Sequence, residues 1–307
     1  LTGKAAFYLC RSALFFGAHL PVSLVQDESW MLKPVLVAIA TLFAALSIGR
    51  PLSAQVDAEF NTAMMDATIQ IGGPSNTAGK ETCGSGFFID GPSRQTPEKA
   101  QYTLVTAAHV FERIGGDYAQ FALRVKRDNQ IVRNVVTVAI RKSGIRLYAK
   151  HPNVDISVMR VTLPNDNAHA MVNWPALATD EVFANLNIHP GDEMFAVGYP
   201  LCRMANPQGY PMLRRGSVAT PIHVPGLPLT GFSLDVPTFE GNSGGPVYFD
   251  YSDRMTGGVS AKGQTHRYIA GVVSQRMYGA NEPLLMAGVV PAKFIAEAVN
   301  LLPANGQ

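Results

Sequence analysis

From residue 67 onward the chain is a succession of short runs in which β-branched and aromatic residues recur, each cut off by Gly, Pro, Asn or Asp. These runs predict strands at 67–71, 83–89, 102–106, 121–125, 131–140, 145–150 and 156–161. A second series is predicted at 194–197, 213–219, 232–236, 247–249, 268–273 and 285–289. Many short strands with frequent turn signals indicate an all-β sandwich or barrel rather than alternating βαβ units. Between the two series, residues 173–187 break the pattern around Pro175 and predict a linker.

One later segment has the helical period instead. Phe294, Ile295, Ala298, Val299 and Leu302 fall on one side of a helix over 292–302, opened by Pro291 and stopped by Pro303. The start of the chain differs again. Met31-Leu32-Lys33 leads into 16 uncharged residues ending at Gly49, and Leu52-Ser53-Ala54 supplies a small-residue exit before Gln55. That order describes a secretory signal peptide over 31–54. The same run retained as a membrane anchor, or folded as a buried helix, is the alternative. Residues 1–30 read as an upstream extension outside the fold, because Met31 makes the better start.

The chain has 307 residues, 47% hydrophobic and 16% charged, enough to bury the core of one or two small domains. Its net charge is only +2 and no long basic block occurs, so nucleic acid is not an expected partner. The basic stretch at 124–127 and the pairs Arg141-Lys142 and Arg214-Arg215 read as solvated strand ends. Cys10 falls in the upstream extension. Cys83 and Cys202 are an even pair that export would allow to bridge, with two free thiols as the other reading. Two cysteines without an HExxH sequence do not make a zinc site, so no metal is expected.

The chemistry concentrates at Glu240-Gly241-Asn242-Ser243-Gly244-Gly245-Pro246. A serine among small residues has an uncrowded hydroxyl, and the neighbouring N–H groups can turn toward one developing negative charge. Such a hydroxyl needs a base, and the base needs an orienting acid. Thr106-Ala107-Ala108-His109 and Asn153-Val154-Asp155-Ile156-Ser157-Val158 offer both. His151, His169, His189, His223 and His266 lack such a context and read as surface or structural residues.

The segments TAAH at 106–109, DISV at 155–158 and GNSGGP at 241–246 occur in that order, with separations of 46 and 88 residues between His109, Asp155 and Ser243. On these motifs the chain resembles the trypsin-like (chymotrypsin-fold) serine proteases, bacterial type, over roughly residues 66–302. The resemblance implies two six-stranded antiparallel β-barrels followed by a C-terminal α-helix, within a protease domain at 55–307. Barrel 1 would cover about 60–175, barrel 2 about 185–290, and the helix 292–302. It implies Ser243 as nucleophile, His109 as general base and Asp155 as the group that fixes the imidazole tautomer. The N–H groups of Gly241 and Ser243 would form the oxyanion hole.

The resemblance further places Pro237 and Thr238 at the base of the substrate pocket, with Ser274, Gln275 and Arg276 as one wall. No Asp stands at the base to attract Lys or Arg. Thr238 is similar to the residue of glutamate-specific relatives, but Val273 occupies the place of their histidine. Small or medium apolar side chains are therefore the expected substrates, with Arg276 narrowing the pocket, attracting acidic groups or simply facing solvent. Cys202 would follow the Gly198-Tyr199-Pro200 turn near the nucleophile, within reach of Cys83. Asn242 cannot pair with a newly cut N-terminal amine, so no propeptide cut beyond signal removal is expected.

The implied activity is that of an exported serine endopeptidase, periplasmic or secreted, acting on polypeptides through an acyl-enzyme. It needs no cofactor, and it meets a membrane only if the N-terminal apolar segment is retained. A catalytically silent peptide-binding relative and an esterase with the same triad are the alternatives.

Overall fold

The computed structural model describes residues 52–90, 101–163, 169–254, 263–279 and 282–303. The expected upstream extension and all but the end of the signal segment lie outside the described residues. Helix α1 (Leu52–Ala67) leads into β1 (Thr68–Pro74), β2 (Glu81–Ile89) and β3 (Gln101–Thr106). Helix α2 (Ala108–Arg113) precedes β4 (Tyr118–Arg127), β5 (Gln130–Ala139), β6 (Arg141–Lys142), β7 (Ile145–Arg146), β8 (Ala149–Lys150) and β9 (Ser157–Thr162). After helix α3 (Asp180–Asn185) come β10 (Glu193–Gly198), β11 (Met212–Val218) and β12 (Phe232–Asp235). Strands β13 (Pro246–Ser252), β14 (Thr265–Gly279) and β15 (Glu282–Pro291) and helix α4 (Lys293–Asn300) complete the order.

The second series closes into a six-stranded barrel, β10-β11-β12-β15-β14-β13, antiparallel at each recorded pairing. The first series departs from the expected six-stranded barrel. Its seven strands form a sheet in the order β5-β4-β1-β2-β3-β9-β8, and the ladder does not join β8 back to β5. The reason lies in residues 140–148, which fold into a separate β6–β7 ribbon. Asp117 holds the ribbon's turn by accepting the N–H groups of Ser143 (2.9 Å) and Gly144 (3.2 Å). Arg141 is drawn inward as well, donating to the carbonyls of Phe111 (2.7 Å) and Ile114 (3.1 Å) just past α2. That disposal satisfies carbonyls at a helix end, which otherwise lack partners.

Three further departures have local causes. The strand expected at 67–71 begins at Thr68, because residues 52–67 are helical. Phe60, Met64 and Ala67 recur at helical spacing and pack into a core shared with α4, which contributes Ile295, Ala298 and Val299. The linker contains α3, whose Thr179 hydroxyl accepts the Val182 N–H and whose first turn carries Asp180 and Glu181. Strand β4 runs on to Arg127 because Asp128 and Asn129, both at positive φ (47° and 62°), make the two-residue turn that matches strand twist.

The basic stretch at 124–127 needs correction. Arg124 is fully buried. Its Nη2 donates to the carbonyls of Met65 (3.0 Å), Asp66 (2.7 Å) and Thr68 (3.0 Å) at the end of α1. Its Nη1 reaches the Gly209 carbonyl (3.1 Å) and the Tyr199 hydroxyl (3.4 Å), and its guanidinium lies 4.5 Å from the centre of the Tyr210 ring. One side chain therefore ties the end of α1 to β4 and to the segment after β10. Among the described residues, no helix is long and apolar enough to cross a membrane.

Candidate active site

His109 enters on the first turn of α2, immediately after the buried strand β3. Thr106 ends that strand, and its hydroxyl donates to the Ser85 carbonyl at 2.7 Å. Asp155 lies in the turn between β8 and β9. Its carboxylate grips His109 twice, accepting the His109 backbone N–H on Oδ1 (2.9 Å) and meeting Nδ1 with Oδ2 (2.6 Å). With an ionised carboxylate opposite, Nδ1 is the protonated ring nitrogen and Nε2 is left basic.

Ser274 supplies a third contact. It is the extra residue of a β-bulge in β14, where Val273 faces Val289 and Gln275 faces Gly288. Bulges re-aim side chains, and this one points the Ser274 hydroxyl at Asp155 Oδ2, 2.6 Å away. Burial alone would raise the Asp155 carboxyl. The hydrogen bonds and charge of His109, with the Ser274 hydroxyl, outweigh it and hold the group below the ordinary carboxylate value.

Ser243 is half-buried in the turn before β13. Its hydroxyl donates to the Ser274 carbonyl at 3.1 Å rather than to the His109 ring. Asp155 thus connects directly to His109, and through Ser274 to Ser243. The turn itself is held by backbone bonds: Ser85 N–H to Ser243 O (2.7 Å), Gly244 N–H to Val273 O (2.7 Å) and Leu201 N–H to Glu240 O (2.6 Å). Since a trans peptide points its C=O and N–H in opposite directions, the last of these turns the Gly241 N–H away from Leu201. Among the described residues, neither the Gly241 nor the Ser243 N–H donates to a backbone carbonyl. Two positions demand glycine. Gly241 (φ +93°) would drive a Cβ into the Tyr199 carbonyl, and Gly244 (φ +89°) would drive one into the Ser85 carbonyl.

Cys83 and Cys202 are joined in a disulfide, with Cα atoms 5.9 Å apart and a sequence separation of 119. It fastens β2 to the segment that walls the Ser243 turn. Behind Pro237 and Thr238 only about 10 Å³ is open, lined also by Arg214, Asn242 and Val273. Gln275 and Ser274 both line a cavity of about 380 Å³, together with Thr220, Phe232 and Met277. A separate cavity of about 670 Å³ is lined by Val136, Tyr148, Met159 and Leu302 and includes none of the expected site residues. No group of His, Cys, Asp or Glu suited to a metal ion occurs among the described residues.

Three contributors were not anticipated. The buried Ser85 donates its hydroxyl to Gly241 O (2.7 Å) and accepts the Tyr199 N–H (3.1 Å). His151, also buried, accepts the Asn153 and Val154 N–H groups on Nδ1 (both 3.2 Å), so the turn carrying Asp155 is wound on its ring. Arg214 donates to Pro237 O at 3.2 Å. The Gly-Ser-Gly run at 84–86 was a signal for close backbone approach around Ser85. Nothing in the sequence marked the other two.

The description "trypsin-like peptidase domain" matches residues 84–257, more than half of the chain. The chain belongs to the trypsin-like peptidase domain family. The matched stretch of this peptidase holds His109, Asp155 and Ser243 but stops short of β14 and its bulge.

Among solved structures, a variant of the HtrA-type protease AlgW with a tripeptide is 18% identical at a TM-score of 0.47, covering 81% of this chain and 64% of its own. The Rv3671c protease from M. tuberculosis in its active form is 16% identical at a TM-score of 0.44, covering 84% and 89%. The serine endoprotease from Yersinia pestis is 15% identical at a TM-score of 0.43, covering 81% and 68%. The chain thus spans just under two thirds of the first of these structures. No curated protein matches it.

Proposed function

We propose that this trypsin-like peptidase is a serine endopeptidase that cleaves polypeptides through an acyl-enzyme. The observation that carries the reading is the two-point grip of Asp155 on His109, with Ser274 linking the same carboxylate to Ser243. In this reading the Ser243 hydroxyl turns from the Ser274 carbonyl toward His109 Nε2 and attacks the scissile carbonyl. His109 takes the hydroxyl proton and passes it to the leaving amine, and Asp155 stabilises the imidazolium formed between those steps. Water, deprotonated by His109, then hydrolyses the ester on Ser243. The N–H groups of Gly241 and Ser243 receive the oxyanion, a contribution of about 3–4 kcal/mol per donor.

The turn is held by Ser85, Leu201 and Val273, and Asn242 carries no charge with which to pair a newly cut N-terminal amine. That supports a cleft formed without a propeptide cut. A disulfide persists in oxidising compartments, and with the apolar run before Gly49 it supports export.

The test is an unbiased peptide library read by mass spectrometry, with parallel fluorophosphonate labelling of the parent and Ser243→Ala. Cleavage and labelling by the parent alone are expected. A folded parent that neither cleaves nor labels overturns the reading, and ester turnover without peptide turnover replaces it with an esterase.

A further inference from the structure

The wall at 274–276 and the base at 237–239 are bridged by a side chain. Arg276 leaves β14 just after the Ser274 bulge, and its Nε donates to the Thr238 carbonyl at 3.0 Å. Its guanidinium lies 5.9 Å from the centre of the Phe239 ring. Arg214, on β11, lies 5.1 Å from the centre of the same ring and holds the preceding carbonyl, Pro237 O, at 3.2 Å. Two guanidinium groups thus share one aromatic ring and anchor consecutive carbonyls at the pocket base.

Neither arginine has a carboxylate partner among the described residues. Arg215, the next residue along β11, is matched elsewhere, with Glu193. Both Arg214 and Arg276 are half-buried. A guanidinium partly removed from water without a counter-charge is costly, and two adjacent ones repel. Arg276 still carries N–H donors beyond its bond to Thr238, and among the described residues only the Tyr278 hydroxyl accepts from them, at 3.5 Å. A guanidinium with free parallel N–H groups fits a carboxylate closely.

Size restricts the visitor. With about 10 Å³ open behind Pro237 and Thr238, no side chain passes beyond the base. Arg276, bonded across to the Thr238 carbonyl, stands beside that base.

We infer that Arg276, backed by Arg214, selects an acidic side chain, Glu or Asp, on the residue preceding the scissile bond. This rests on the proposed peptidase chemistry at Ser243, and it departs from the apolar preference expected from sequence. The charge comes from the wall and from β11 rather than from a histidine at Val273.

The test uses peptides identical except for Glu, Gln, Ala or Lys before the scissile bond, with the parent, Arg276→Gln, Arg276→Glu and Arg214→Gln. A charge-assisted hydrogen bond predicts that the parent favours Glu over Gln by about 10- to 100-fold in kcat/KM. Arg276→Gln should bring that ratio near one, Arg276→Glu should favour Lys, and Arg214→Gln should lower the ratio less. A parent that cleaves Ala or Gln as fast as Glu overturns the inference, as does an unchanged ratio in Arg276→Gln. Binding of the same peptides to Ser243→Ala, read by fluorescence anisotropy with and without Arg276→Gln, gives the ratio independently of turnover. Failure of the serine chemistry is thereby separated from failure of acidic selection.

Discussion

Acidification should act first on His169. The ring is 9% exposed, and its Nε2 accepts the Arg124 N–H at 2.9 Å. Nδ1 therefore carries the proton and meets the Asp66 carbonyl at 2.9 Å. Burial, and then the Arg124 cation, push the ring from its ordinary value of 6.5 down to about 3. The folded protein thus refuses a proton that the unfolded chain binds below pH 6.5. The associated stability is complete above pH 6.5, falls as pH drops toward 3, and is exhausted below that.

At about 1.4 kcal/mol per pH unit, the loss between pH 6.5 and 4.5 is roughly 2–3 kcal/mol. Asp155, whose carboxyl is held low, loses its contribution in the same direction but only within and below the ordinary carboxylate range. The window above pH 4.5 therefore isolates His169 from it. His169→Gln supplies the control, since an amide can accept from Arg124 N and donate to Asp66 O without titrating. Urea unfolding at pH 4.5, 5.5, 6.5 and 7.5 should show the parent losing about 2–3 kcal/mol more than the variant across the window. Parallel profiles would refute the reasoning. The consequence is local as well as global, because Arg124 and His169 together secure the last turn of α1 beside Tyr199.

Three other perturbations have defined outcomes. Cys83→Ala with Cys202→Ala frees a loop with a 119-residue separation and should cost about 3–5 kcal/mol, read as a lower urea midpoint that reductant no longer shifts. Gly241→Ala forces a Cβ against the Tyr199 carbonyl at positive φ, and about a 100-fold or greater loss of fluorophosphonate labelling should follow from the displaced oxyanion turn. His151→Phe strips the acceptor from two partly buried N–H groups in the Asp155 turn, costing about 1–3 kcal/mol and lowering kcat more than it raises KM. Glu297→Gln, which preserves a hydrogen bond to His151 Nε2, should leave both nearly unchanged.

The sequence was most informative where one short segment sets its own geometry. In GNSGGP, the glycines at 241 and 244 take backbone angles that side chains resist, so the turn is written in residues adjacent to Ser243. Strands were legible for the same reason, since alternation and turn residues are local. Supporting contacts were not, because they join residues far apart in the chain. Arg124 reads as a solvated strand end until the end of α1, 56–59 residues earlier, delivers three carbonyls to it.

The same distinction explains the open first sheet and the pocket. Closure of a barrel from β8 to β5 depends on how residues 140–148 are spent, and Asp117 and Arg141 commit them to a ribbon through contacts 25–30 residues away. Arg276 was expected at a pocket wall, and its proposed role changes once Arg214, 62 positions earlier, meets it over Phe239. A single arginine on an exposed wall can be solvated. Two half-buried arginines on one ring make charge the dominant property of that wall, and charge, unlike shape, discriminates Glu from its isostere Gln. The proposed acidic selection therefore rests on a pair assembled by the barrel, which no window of sequence around Ser243 contains.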